Sequence, residues 1–181
     1  MKAISSYSDA LVFAMEAHRG QFRKGDPREA FLSHPIRVAH ALVRQGLCDA
    51  VLLQAALLHD VLEDTAIPAD RIRAQFGEEV LGLVWELTDD KNLLKSVRKQ
   101  MQVERAPGLS LMARLIRIAD KTDNLASLEH APPSGWSLTR QREYLAWSRR
   151  VVGRIRGTHA GLEAEFDAFA EEIDRKLHSK V

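Results

Sequence analysis

The segment AVLLQAALLHDVLED, residues 50–64, constrains the fold more than any other stretch of the chain. Its first nine residues are apolar apart from Gln54, and a helix that is apolar all round belongs in a core. Asp49 stands directly before it, where a short acidic side chain can cap the first free amides. The segment then closes on His59-Asp60-Val61-Leu62-Glu63-Asp64. Ionisable groups at the end of a buried helix are costly unless they are paired or hold a metal. At helical spacing His59 and Glu63 share a face, as do Asp60 and Asp64, so all four can line one side of a cavity.

Helical periodicity runs through most of the chain, and no segment alternates in the manner of a strand. Ser8 is placed to cap a first helix with Leu11, Val12 and Met15 on its apolar face. A polar loop, GQFRKGDPREAFLS, follows, rich in Arg and Lys. Ile36, Val38, Ala39, Leu42 and Val43 mark a second helix, which Gly46 is placed to end. Beyond the central helix, Thr65–Pro68 forms a turn, ADRIRAQFG a short helix stopping at Gly77, and EEVLGLVWELTDD another. A basic helix spans about Asn92 to Arg105 and ends at Ala106-Pro107-Gly108. LMARLIRIADKTDNLASL is the second strongly apolar helix, APPSGWS breaks the chain, and two amphipathic helices complete it. Loops are short and no repeat or linker appears, so residues 1–181 are expected to form a single all-α domain.

Composition narrows the partners. With 26 basic against 25 acidic residues the formal net charge is +1, which leaves no overall basic excess for nucleic acid. No apolar run approaches the roughly 18 residues of a membrane span. Leu11–Met15, with Asp9 and Glu16 against it, does not make a signal peptide. The expected location is the cytoplasm. One cysteine, Cys48, excludes an internal disulfide and a thiolate-built metal site.

Two further elements supply groups of the same kind as the His-Asp pair. His34-Pro35 opens a helix, with proline suited to the first turn. In IADKTDN an apolar helix acquires two acids, a lysine and an asparagine, and Asp120 and Asn124 share a face. Two imidazoles and two carboxylates form a mixed N/O set suited to Mn, Fe or Zn, and carboxylate and water ligands favour a harder ion such as Mn. The competing reading is that of satisfied helix histidines, and it is applied to His18, His40, His130, His159 and His178.

HRGQFRKGD, FLSHP, AALLHDVLEDT, LTDDK and ADKTDNL, in this order, resemble the hydrolase domain of the RelA/SpoT-homologue family. The likeness is to its stand-alone small alarmone hydrolases, and it runs from about Tyr7 to about Arg156, with a last helix over 158–178. The resemblance implies an all-α HD fold and Mn2+-dependent removal of the 3′-pyrophosphate from guanosine tetra- or pentaphosphate. It implies that His34, His59, Asp60 and Asp120 hold the metal and that Glu63 and Asp64 position and deprotonate the attacking water. Arg23 and Lys24 match residues that contact the nucleobase, and Asn124 one that contacts the nucleoside. Lys95, Arg140 and Tyr144 match positions facing the phosphates, and the competing reading of these three is a solvated helix residue.

The chain departs from the family pattern at Phe31 and Ser33, where tyrosine and asparagine are usual. It departs again at Thr122 and Asp123, where ADKLxNL is usual, often with an aromatic before the asparagine. These positions are expected near the base pocket, so guanine against adenine preference stays open. The resemblance leaves no room for a synthetase domain. Rival readings are an HD phosphatase acting on NADPH or a nucleoside triphosphate, a nucleotide-binding regulator without turnover, and a helical interaction module. The partner implied is a small nucleotide, with no nucleic acid or membrane. The oligomeric state is not encoded in any motif.

Overall fold

The computed structural model describes residues 2–25 and 29–179. Its helices in chain order are α1 (Lys2–Ala17), α2 (Ser33–Arg44), α3 (Ala50–Leu58), α4 (Val61–Asp64), α5 (Ala69–Leu87), α6 (Lys95–Arg105), α7 (Leu111–His130), α8 (Leu138–Gly153) and α9 (Ala160–Ser179). A 3-10 turn, Ala106–Gly108, joins α6 to α7. Among the described residues there is no strand, only one antiparallel bridge between Phe22 and Ala30. Asp26, Pro27 and Arg28 of the basic loop lie outside the described residues.

The apolar segment is the centre of the molecule, as its composition requires. In α3 every residue from Leu52 to Leu58 is buried, and the helix packs against α1, α2 and α5. Its one polar member, Gln54, donates to the carbonyl of Ser6 at 3.0 Å, which removes the cost of burying an amide. Asp49 caps it by accepting from the Leu52 amide. On the other side α7 lies against α2 and α9, and α8 against α9. Gly46 ends α2 at φ +77°. Its amide and that of Leu47 bond the Val43 and Leu42 carbonyls, the paired bonds of a Schellman motif.

Two expectations need correction. Ser8 lies inside α1, not at its start, and the buried face is Ala10, Phe13 and Ala14. Val12 and Met15 are about half exposed, at 49% and 50%. Two apolar stripes compete on this helix. The one with two alanines permits close approach to α3, and Phe13 meets Phe76 edge-on at 5.3 Å. The second correction concerns the central helix, which is not continuous: it stops at Leu58 and resumes at Val61. Gly77 interrupts α5 with φ +88°, where the sequence places the end of a helix. No helix is long and apolar enough to cross a membrane among the described residues.

Candidate active site

Three segments far apart in sequence converge at the break between α3 and α4. The first turn of α2 carries His34, the break itself is His59-Asp60, and the middle of α7 carries Asp120. One potential ligand atom from each of His34, His59 and Asp120 lies within 4.8 Å of the others, and all three residues are buried. Asp60 joins them, its Oδ2 3.6 Å from His34 Nε2 and 3.4 Å from His59 Nε2. The break has a local cause. His59 Nδ1 bonds the Ala56 carbonyl at 2.8 Å, the carbonyl that the Asp60 amide would use in an uninterrupted helix. Asp60 turns to φ −97°, ψ −5°. The Asp64 amide still bonds the Asp60 carbonyl at 2.8 Å, so these two acids keep their one-turn spacing.

The donor set fits a divalent cation. Both imidazoles have Nδ1 engaged, His59 by the Ala56 carbonyl and His34 by Asp123 Oδ2 at 2.6 Å. His34 Nε2 faces Asp60 and Asp120 and His59 Nε2 faces Asp60, and among the described residues His59 Nε2 is buried without a hydrogen-bond partner. An orphaned buried nitrogen facing carboxylates is the expected geometry of a ligand. Burial pushes the His34 imidazole down, but the Asp120 and Asp123 carboxylates outweigh it and raise the group to about 9. The pocket is thus built to hold positive charge. Burial also pushes Asp120 up, yet Lys121 and His34 hold its carboxyl well below the usual range.

The two acids of α4 stand beside this cluster with different partners. Glu63 accepts from the Asp89 amide at 3.2 Å and faces Arg98 at 3.4 Å. Burial, then the neighbouring Asp89 carboxylate, raise its carboxyl to about 7. Asp64 is paired with Lys91, and its carbonyl accepts from Gln21 at 2.9 Å. The cluster opens on a cavity of about 700 Å³ that Arg23, Lys24, Lys95, Asn124 and Tyr144 also line. Arg23 donates to Ser127 at 2.7 Å and to Asn124 at 3.3 Å, and Asn124 in turn donates to Asp120 at 2.5 Å. Lys24 is exposed at the cavity. Arg140 does not line it: the guanidinium is stacked 4.5 Å over the ring of Trp136, which does.

A search of family models matches residues 10–146 to the HD domain. The human guanosine-3′,5′-bis(diphosphate) 3′-pyrophosphohydrolase MESH1 is 46% identical over 156 residues, covering 86% of this chain and 87% of that protein. The Drosophila melanogaster protein of the same name is 43% identical and covers 90% and 92%. The chain belongs to the HD-domain family, among the MESH1-like pyrophosphohydrolases. A solved structure described as a metazoan orthologue of SpoT that hydrolyses ppGpp superposes with a TM-score of 0.89, at 40% identity, over 92% of this chain and 94% of that one.

Within this HD fold the cavity has a cationic wall that the sequence reading covered only in part. Arg98 and Lys99 sit one turn after Lys95 on α6, and all three line the cavity. Lys99 lies 5.2 Å over Tyr144 and 4.6 Å over Trp147, and Lys121 lies 4.3 Å over the same Trp147 ring. Burial, then Lys95 and Lys121, lower the Lys99 ammonium to about 8. The three-and-four spacing of Lys95, Arg98 and Lys99 is a signal that could have found them. Lys91 stands in the LTDDK motif, but nothing in its spacing points to Asp64. The departures from the family pattern also separate. Phe31 and Asp123 line the cavity. Ser33 turns instead to Glu29 and the Ala30 carbonyl, and Thr122 bonds back to Ile118 of its own helix, so neither lines the cavity.

Proposed function

We propose that the protein hydrolyses the 3′-pyrophosphate of guanosine tetra- and pentaphosphate, giving GDP or GTP and pyrophosphate, with Mn2+ held by His34, His59, Asp60 and Asp120. The observation that carries this reading is the convergence of His34, His59, Asp60 and Asp120 beside the Glu63-Asp64 pair at one cavity that also has a cationic wall. The activity for which relatives more than 40% identical over most of their length are named supports it. An exposed free thiol at Cys48 suits a reducing cytoplasm.

A divalent cation, when bound, polarises a phosphoryl oxygen and lowers the pKa of water. The protein's own groups do the rest. Glu63, poised near neutrality, accepts a proton as the water oxygen bonds the phosphorus attached to the 3′ oxygen. The bond from that phosphorus to the 3′ oxygen breaks, pyrophosphate leaves, and the 3′ oxygen takes up a proton. Asp64, fixed by Lys91, helps to orient the same water. Lys95, Arg98 and Lys99 neutralise charge spread over the phosphates, with Tyr144 and Trp136 backing them and Arg140 acting through Trp136. Arg23, held by Ser127 and Asn124, offers a plane to the purine, with Lys24 beside it. Stacking on Arg23 and Phe31 is available to any purine, so the adenosine analogue is also a substrate.

The test is incubation of Mn2+-loaded protein with guanosine and adenosine 3′-pyrophosphates and with NADPH, products resolved chromatographically. Free pyrophosphate and an intact 5′-diphosphate are expected from both alarmones. Orthophosphate alone, from either end, would overturn the reaction. Turnover of the guanosine compound only would overturn the adenosine part.

A further inference from the structure

One buried group close to the cluster has no place in the scheme above. Asp123 is 8% exposed, yet three positively charged or hydrogen-bond-donating groups converge on it, His34 and Arg37 from α2 and Arg23 from the basic loop. His34 Nδ1 lies 2.6 Å from its Oδ2, Arg37 Nε 2.5 Å from its Oδ1, and an Arg23 guanidinium nitrogen 3.5 Å from Oδ2. Arg37 is itself paired with Glu29, so a chain of contacts runs Glu29–Arg37–Asp123–His34. Burying a carboxylate among such partners is favourable only because they are present, and Asp123 stands where the family pattern often carries an aromatic residue.

We infer that Asp123 is a positioning residue for the metal site, fixing the His34 ring through Nδ1 so that Nε2 faces Asp60 and Asp120. The chemistry follows from the donor inventory. A carboxylate ionised by neighbouring cations can only accept, so the proton of this 2.6 Å bond sits on His34 Nδ1. The other nitrogen is then free to offer its lone pair once its own proton has left. A carboxylate behind a ligating imidazole raises its basicity and holds its plane, and loss of such a partner commonly costs 10- to 100-fold in metal affinity. Arg37 contributes by holding the far oxygen of Asp123, which stops the carboxylate from rotating away from His34. His59 has no such partner, because its Nδ1 is held by the Ala56 carbonyl. The two imidazoles are thus oriented by different means, and only His34 should respond to changes at position 123.

This inference rests on the metal reading of the cluster, and the test separates the two. Mn2+ dissociation constants are measured by chelator competition on wild type, Asp123→Ala and Asp123→Asn, with kcat and KM at saturating Mn2+. Asp123→Ala is expected to bind Mn2+ 10- to 100-fold more weakly. Asp123→Asn is expected to lie between it and wild type, since its amide oxygen still accepts from Nδ1 but carries no charge. Excess Mn2+ should restore most of kcat in both. Wild-type Mn2+ affinity in a folded Asp123→Asn or Asp123→Ala protein overturns the inference while leaving the metal site intact. Should the alanine variant not fold, the isosteric asparagine decides alone. Absence of Mn2+ binding by the wild type would overturn the metal reading and this inference with it.

Discussion

Glu63 shows how much one carboxyl's surroundings decide. Its ordinary value is 4.5 and the folded protein raises it to about 7, burial being the largest cause. The native state therefore binds this proton more tightly than the unfolded chain does. The contribution to stability is fully present below pH 4.5 and is lost as pH rises through about 7. In metal-free protein, Glu63→Gln should thus gain on wild type between pH 5 and pH 8, by roughly 1–3 kcal/mol, read from urea unfolding at the two pH values. If the metal reading holds, the same variant should bind Mn2+ as wild type does, because Glu63 points to Asp89 and Arg98 and not to His34, His59, Asp60 and Asp120. Turnover should fall by about 10²–10⁴-fold, and the acidic limb of the wild-type rate profile should disappear. A metal-free Glu63→Gln protein in the presence of Mn2+ would make Glu63 a ligand and end this division of roles. Sequence alone could pick out Glu63, because its spacing from His59 is local. It could not pick out Asp123, whose meaning depends on Arg37, 86 residues away.

At the scale of elements the sequence revealed the helices better than it revealed their faces and junctions. The strongly apolar α3 and the abrupt acids of α7 are composition signals, and both survive in the structure. Which stripe of α1 is buried was not legible, since it depends on how closely α3 approaches. The break at His59-Asp60 was hidden for another reason: no glycine or proline marks it, and a side chain competing for one backbone carbonyl produces it. The basic loop gives a further case. A Cβ at Gly25 would lie 1.9 Å from the Ala131 carbonyl oxygen, so the loop can seat against the end of α7 only without a side chain there. Gly25→Ala must push the loop, and Arg23 with it, away from Ser127 and Asn124. On the proposed role of Arg23 in holding the base rather than the reacting phosphate, the expected result is a raised KM with kcat changed much less. Steady-state kinetics that show the opposite split would place the loop at the chemistry.

For the whole molecule, the metal reading turns the ligand cluster into a link between parts of the chain. His34, the His59-Asp60 break and Asp120 belong to α2, the α3–α4 junction and α7, and α2 and α3 already pack on each other while α7 packs on α2. An ion bound only by the folded protein stabilises it by mass action, about 2.7 kcal/mol at 100 times the dissociation constant. For a chain of this size that is on the order of 5–10 °C in Tm. Chelation should remove that increment from wild type. Two ligand variants should then differ in a way that reports on the metal-free packing. Among the described residues the Asp60 carboxylate faces only the two imidazoles and is 22% exposed, so Asp60→Asn should lose the Mn2+-dependent increment and otherwise melt like chelated wild type. Asp120 is also the counter-charge of buried Lys121, at 3.1 Å, and of Arg117, at 3.5 Å. Removing its charge leaves two buried cations short of a partner, which is costly in itself. Asp120→Asn should therefore melt below chelated wild type as well as failing to respond to Mn2+. Thermal scans of the three proteins with Mn2+ and with chelator test both statements. Equal metal-free melting of the two variants would mean that Lys121 and Arg117 do not depend on Asp120, and a Mn2+ response in Asp60→Asn equal to wild type would remove Asp60 from the ligand set.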